Sequence, residues 1–359
     1  MKGSSHVATI FGIPVKIHWS FGLLFLWVAY LSSKQGFNLT IFISLLILFL
    51  SVFVCVVLHE FGHAMAARIF GVKTFDIIMT PIGGIARLER MPDGRGQEFW
   101  VAIAGPLVNF LIAFIIWIGF IIFYRNTWPE VSSISWTYRE PVKEYFYLLM
   151  LGNIGLGTFN LIPAYPMDGG RILRSLLSLW IERARATQIA SLLGQIIAMA
   201  MFAYGFYKQE PVMMLIGVFI FFAARQENRI IQKQSLLNRI KASDLMDPIE
   251  HIFFTGQSLS SGVEIAKTLK GDNYIVWSRP GIPAGYLNRE KLIDAAVSPH
   301  DELIDQFIIG VPAVIQPDNT ASQIIGFMQQ NKIPVALVSD NGRYVGVIPW
   351  HKLVSLIRK

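Results

Sequence analysis

The chain has 359 residues, of which 53% are hydrophobic and only 15% charged, with a formal net charge of +7. Soluble proteins carry about 25% charge, so an entirely soluble protein is excluded, and a single cysteine, Cys55, excludes an intrachain disulfide. The lysines and arginines form no run interleaved with aromatics, which argues against a nucleic-acid surface; on a membrane chain such charge marks cytoplasmic loops.

The opening, MKGSSHVATIFGIPVKIHWSF, lacks the charged, apolar and small-residue succession of a cleaved signal. Asn38-Leu39-Thr40 fits a glycosylation sequence but lies at a membrane edge and is discounted. Apolar segments near the length that crosses a bilayer, about 20 residues, lie at 19–33, 39–66, 99–123, 143–163, 186–206 and 210–225. The last two are close together around Tyr207-Lys208-Gln209-Glu210, which predicts a tight helical hairpin. Beyond 225 the composition becomes that of a soluble domain. The expected fold is an α-helical polytopic membrane domain over 1–225 with about six transmembrane helices, a linker over 226–241 and a soluble domain over 242–359.

Positive charge alternates between the connections. Arg68, Lys73, Arg87, Arg90 and Arg95 follow the second segment, Arg171, Arg174, Arg183 and Arg185 the fourth, and Arg225, Arg229 and Lys233 the sixth. The opposite set is Lys34, Arg125, Arg139 and Lys208, with Lys143 at its margin. The positive-inside rule places both termini in the cytoplasm. In the central stretch Phe75, Ile77 and Met79 suggest a strand, Pro81, Gly83 and Gly84 punctuate it, and Ile85–Glu89 suggest a second strand. A small sheet at the membrane surface is expected.

The second segment ends in LHEFGHAMAAR. On a helix His59 and His63 share one face, one turn apart, and can bind one zinc ion at about 2.0–2.1 Å. Glu60 stands beside them as general base for a water polarised by the ion. Ionisable groups inside an apolar helix are expensive and point to function. Cys55, one turn earlier, reads as a small buried hydrophobe. A catalytic zinc takes three protein ligands and one open position. Asp168 in NLIPAYPMDGGR supplies a third: Pro163 and Pro166 break the helix, and lipid tolerates such backbone only against protein or a wet cavity. Read alone, Asp168-Gly169 is an ordinary turn.

HEFGH in the second segment together with NLIPAYPMDGG after a later one resembles the site-2 protease family of intramembrane zinc metalloproteases. GIPVKIHWSF, the PIGG at 81–84 and the AGPLVN at 104–109 match the same pattern, and the six-segment plan resembles the branch with a C-terminal regulatory domain. The resemblance implies a Zn2+ cofactor held by His59, His63 and Asp168, with Glu60 as base. It implies Asn160 near the scissile peptide, steadying the oxyanion or the substrate backbone; the alternative for Asn160 is a helix cap. Asn109 either lines the site or serves packing at Gly105-Pro106, and His18 is structural. The implied substrates are transmembrane helices of other proteins, which must unwind before water reaches their carbonyls. A strand edge at Gly83 and Gly84 could take the unwound segment by β-augmentation; the alternative is a surface turn.

In the soluble part, residues 257–294 and 318–355 repeat at an offset of 61, with Ser278, Gly285, Lys291 and Leu292 matching Ser339, Gly346, Lys352 and Leu353. Each copy reads as helix, strand, turn, strand and helix, with Asp340-Asn341-Gly342 a hairpin signal. With ASDLMDP at 242–248 ahead of them, the two copies resemble a tandem CBS pair, an α/β module whose relatives bind adenine nucleotides. Where that family places an acid for the ribose, this chain has Lys291 and Lys352, so a homodimerising or substrate-gating module stands beside a nucleotide sensor. The expected function is an intramembrane zinc endopeptidase of a plasma membrane. The rival is a CBS-regulated membrane transporter, which would spread its charged groups over several spans.

Overall fold

The structure is a computed structural model that describes residues 3–33, 39–81, 83–90, 94, 96–125, 127–128, 141–249, 253–269, 271–295 and 302–358. Lys34, Asn38, Ile82, Arg95 and Arg139 lie outside the described residues. The chain divides into two compact units, Met1–Arg229 and Ile230–Lys359.

The first unit opens with a hairpin, β1 (Ser4–Ile10) and β2 (Ile13–His18). Its two-residue turn, Phe11-Gly12, has φ of 52° and 80°; positive φ at both positions matches the twist of the flanking strands. Two later strands, β3 (Thr74–Thr80) and β4 (Gly83–Leu88), complete a sheet of order β1-β2-β3-β4, with β2 parallel to β3 and the other pairs antiparallel. The sequence signals had placed strands only near 75–89, so half of this sheet is new. A register shift between Thr74 and Asp76 turns Phe75 outward, 59% exposed, while Ile77 and Met79 face inward. The inner face, Ile13, Val15, Ile77 and Met79, packs on Phe61 and Ala64 of α2 (Leu39–Ile69). The sheet therefore lies over the stretch of α2 that contains HEFGH.

Helix α1 (Leu23–Ser33) follows a 3-10 turn at Trp19–Gly22, where His18 accepts from the Ser20 backbone N–H and serves as the cap. Helix α3 (Gln97–Tyr124) crosses α2 closely: a Cβ on Gly62 would lie 2.7 Å from the Ala104 carbonyl. Helix α4 (Pro141–Asn160) stops ahead of the prolines, and α5 (Asp168–Leu177) begins after them. Helices α6 (Arg183–Lys208) and α7 (Pro211–Arg239) form the expected hairpin, joined through Gln209 in the left-handed region. Residues 226–239, expected as linker, continue α7 because no glycine or proline interrupts RQENRIIQKQSLLNR.

Of the six expected spans, α2, α3 and α6 are long and apolar enough to cross a bilayer by length and composition, among the described residues. Their outward positions are apolar too, with Val54, Leu111 and Ile196 exposed, as lipid-facing helices require. The apolar stretch that includes α1 covers only Trp19–Ser33. Helix α4 carries Lys143 and Glu144, and α7 turns polar from Arg225.

The second unit starts with the short α8 (Ala242–Leu245). It then runs twice through the same order: β5 (Phe253–Phe254), α9 (Leu259–Thr268), β6 (Asn273–Arg279), β7 (Ile282–Asn288), α10 (Arg289–Ala295); and β8 (Ala313–Ile315), α11 (Ala321–Asn331), β9 (Val335–Asp340), β10 (Arg343–Pro349), α12 (Trp350–Arg358). In each sheet the lead strand is parallel to the middle one and the third antiparallel. The repeated glycines explain the offset of 61. A Cβ on Gly346 would lie 2.9 Å from the Asp247 carbonyl, and one on Gly285 would lie 2.6 Å from the Gly310 carbonyl. Each glycine thus admits a passing strand beside it: Asp247 and Val347 exchange backbone hydrogen bonds of 2.8 and 2.9 Å, and Ile309 and Tyr286–Gly310 repeat the pattern at 2.9 and 3.1 Å. Between the two sheets Ile275, Trp277, Tyr286, Val335 and Leu337 form one core.

Two ion clusters tie the first unit together. Asp76, fully buried, accepts from Arg87 Nε at 2.5 Å and from Lys16 Nζ at 2.6 Å. The Arg87 hydrogen bonds, with Lys16 adding to them, hold its carboxyl down to about 2. The stability this clasp contributes is complete above about pH 4 and is lost as pH falls through about 2. Asp76→Asn is expected to lower the melting temperature of the full chain in detergent by about 2–4 °C at pH 7 and to flatten its melting curve against pH between 4 and 2. An unchanged acid profile would remove Asp76 from that role.

Candidate metal centre

The i, i+4 spacing on α2 sets His59 and His63 one above the other, 6% and 9% exposed, with ring centroids 4.8 Å apart. Their room comes from α3. A Cβ on Gly105 would collide with the Nε2 atoms of both rings, so only glycine lets α3 pass here. His63 Nδ1 lies 2.7 Å from the Val101 carbonyl. A carbonyl only accepts, so Nδ1 carries the proton and Nε2 its lone pair. His59 Nδ1 lies 2.5 Å from Asn109 Oδ1, which orients that ring in the same sense.

Asp168 is the first residue of α5, and its position depends on how closely α5 is seated. Cβ atoms on Gly169 and Gly170 would overlap the backbone of Leu161–Tyr165, and one on Gly194 of α6 would overlap the Tyr165 carbonyl. Further along α5, Arg174 is 1% exposed and donates to Glu98 of α3. Arg183 of α6 donates to the second Glu98 oxygen at 3.3 Å, and Arg174 also lies 3.7 Å from Glu227 of α7. In the sequence Arg174 counts as a loop charge; in the fold it is an interior anchor, because Glu98 meets it across the bundle.

The result is a triangle. Asp168 Oδ2 lies 3.2 Å from His59 Nε2 and 3.1 Å from His63 Nε2, and the two Nε2 atoms are 3.1 Å apart. Neighbouring ligands of a tetrahedral zinc with bonds of about 2.0–2.1 Å stand about 3.3 Å apart. With both Nδ1 atoms protonated, three lone-pair donors converge and none brings a proton to the others. Such a donor set suits a divalent cation and leaves a fourth position open. It is the only group of three or more metal-ligating side chains among the described residues.

Glu60 is turned to the sheet. Its Oε2 accepts from the Ala86 backbone N–H of β4 at 3.0 Å. Gly84 makes that approach possible, since a Cβ there would lie 2.5 Å from Glu60 Cγ. The glycine expected at a substrate edge thus makes room for the Glu60 side chain, and Gly83, with φ of 148°, needs its glycine for its own conformation. Asn109 is fully buried and touches His59 rather than an open cleft. Asn160 closes α4, half-buried, with no side-chain hydrogen bond to the triangle among the described residues. Cys55 is buried and accepts from Asn153 Nδ2 at 3.3 Å. The sequence reading took Arg174 only as a loop charge and Gly105 only as packing, and passed over Asn153 and Glu98. Asn153 carried a signal: it is an amide within an apolar segment.

Residues 47–203 match Peptidase family M50. A zinc metalloprotease of Methanocaldococcus jannaschii is 37% identical over 248 residues, 69% of this chain and 67% of that protein. The solved structure of a site-2 protease from Methanocaldococcus jannaschii covers 63% of this chain and 95% of its own, at 35% identity and a TM-score of 0.47. The solved CBS domain of a bacterial CNNM/CorC family Mg2+ transporter covers 37% of this chain and 83% of its own, at 16% identity and a TM-score of 0.33.

The packing at Gly105 and Gly84 separates two kinds of damage. Gly105→Ala is expected to drive the imidazoles apart and leave purified protein with less than about a tenth of the parent's zinc. Gly84→Val is expected to displace only Glu60 and leave zinc content unchanged. Elemental analysis of the two proteins checks both; equal zinc in Gly105→Ala would contradict the packing.

Proposed function

Because this chain belongs to peptidase family M50, the site-2 zinc metalloproteases, we propose that His59, His63 and Asp168 hold its Zn2+ and that Glu60 is the base with which it hydrolyses peptide bonds in transmembrane segments of other proteins. The protein is a membrane metalloprotease. One observation carries the ligand assignment: three lone-pair donors from α2 and α5 lie 3.1–3.2 Å from one another.

Zn2+, when bound, polarises the substrate carbonyl and lowers the pKa of water toward about 7. The chain's own residues do the rest. His59 and His63 present Nε2 and keep Nδ1–H on acceptors. Glu60, adjacent to His59 on α2, takes the proton of the attacking water and passes it to the leaving amine. Asn160, by the resemblance to the family pattern, serves the scissile peptide, where an amide N–H steadies developing negative charge.

Substrate enters as an extended strand on β4, an outer strand of the sheet. The Ala86 N–H is then wanted by two acceptors, the substrate backbone and Glu60. Strand addition that takes this donor frees the carboxylate toward the reacting water. The three metal-ligating side chains come from one end of α2 and the start of α5, which favours hydrolysis over the transporter reading. The remaining apolar segments complete a multi-pass plasma-membrane topology with both termini cytoplasmic, supported by the charge alternation. The second unit is a regulatory CBS pair, supported by its internal repeat. At the positions considered for a nucleotide, Lys352 is paired with Asp247 at 2.5 Å, and the Lys291 backbone N–H donates to Asn288 Oδ1 at 3.2 Å.

Glu60→Gln in the full chain is expected to keep about one zinc per chain and to lose about 10²–10⁴-fold in hydrolysis of a fluorogenic single-span apolar peptide. Asp168→Ala is expected to lose zinc and activity together. Undiminished hydrolysis by Glu60→Gln would sink the mechanism.

A further inference from the structure

Beneath the metal triangle runs a buried file of amides that the hydrolytic chemistry does not use. His59 Nδ1 lies 2.5 Å from Asn109 Oδ1; Asn109 Nδ2 donates to Asn153 Oδ1 at 2.9 Å; Asn153 Nδ2 donates to the Leu149 carbonyl at 2.9 Å and to Cys55 Sγ at 3.3 Å. Asn109 and Asn153 are both fully buried, between α2, α3 and α4.

The polarity of this file is fixed at one end. The Leu149 carbonyl is an acceptor and cannot reverse, so Asn153 must turn its NH2 toward it. That leaves Asn153 Oδ1 facing Asn109, which must answer with its own NH2. Asn109 then offers only Oδ1 to His59, and His59 must donate from Nδ1. Reversing any amide would set acceptor against acceptor, or donor against donor, between fully buried side chains. Each such mismatch costs about 1–3 kcal/mol. The reversed file would also protonate Nε2, the atom that faces Asp168, and close it to a metal.

We infer that Asn109 and Asn153 are positioning residues of the zinc site, a relay anchored on the Leu149 carbonyl that holds His59 with its Nε2 lone pair turned to the metal. The inference rests on the ligand assignment proposed above. It differs from a packing role, in which asparagines merely bond one helix to the next, because a packing role affects stability and not the metal.

The test is a double-mutant cycle on zinc affinity, measured by chelator competition on the full chain in detergent, beside the thermal stability of the zinc-free proteins. Asn109→Leu, close in volume, is expected to bind zinc about 10–100-fold more weakly. Asn153→Leu, which never approaches the metal, is expected to weaken zinc in the same direction by less, because Asn109 can then reverse. It reads the relay even where Asn109→Leu fails to accumulate. The double variant should match Asn109→Leu within about twofold, since both act along one path. Parent-like zinc affinity in either single variant would overturn the relay, as would losses that multiply in the double. His59→Ala is the separate control: if it binds zinc as tightly as the parent, the ligand assignment itself falls.

Discussion

Three lone pairs brought within 3.2 Å of one another repel unless a cation lies among them, and much of the membrane unit serves to hold them there. The imidazoles come from one helix and the carboxylate from another, so two close packings must hold at once. Gly62 and Gly105 give α3 the proximity to α2 that the rings need, and Gly169, Gly170 and Gly194 seat the start of α5. The Arg174–Glu98–Arg183 cluster then ties α5 to α3 and α6 from within.

A bilayer core gives no water to an unsatisfied polar group, and His59, His63, Asn109 and Asn153 each have a defined partner. His63 uses a backbone carbonyl, His59 an amide, that amide another amide, and the last a carbonyl of α4. The same economy explains the sheet. Asp76 gathers Lys16 and Arg87 so that β2, β3 and β4 hold together, and β4 in turn offers a backbone N–H to Glu60. The sheet therefore fixes the Glu60 side chain, through a contact that only a glycine at 84 permits.

The second unit follows a different logic. Its two halves share one topology, and each repeated glycine lets a strand from outside its own hairpin lie against it: residues 246–247 beside Gly346, residues 308–310 beside Gly285. The apolar faces of both sheets meet around Trp277 and Tyr344, whose ring centroids are 5.2 Å apart. Neither sheet alone would cover those side chains, so the repeat is stable as a pair.

What the sequence determined by itself was chemical type and local spacing. His59 and His63 at i, i+4 must share a helix face whatever surrounds them, an apolar run must avoid water, and a repeat at offset 61 must fold twice alike. These follow from covalent geometry and solvation, which act within a few residues or over composition. The amino acids at 109, 153, 98 and 174 are equally visible in the chain, but their partners lie on other helices, 44 positions apart for Asn109 and Asn153 and 76 for Glu98 and Arg174. Nothing local distinguishes Arg174 from the exposed arginines near it, or the hairpin of β1 and β2 from a polar leader. Only packing decided that one arginine is interior, that Gly84 lies against Glu60, and that an amide file ends on a carbonyl. Those facts are distances between segments, and the linear order of residues does not contain them.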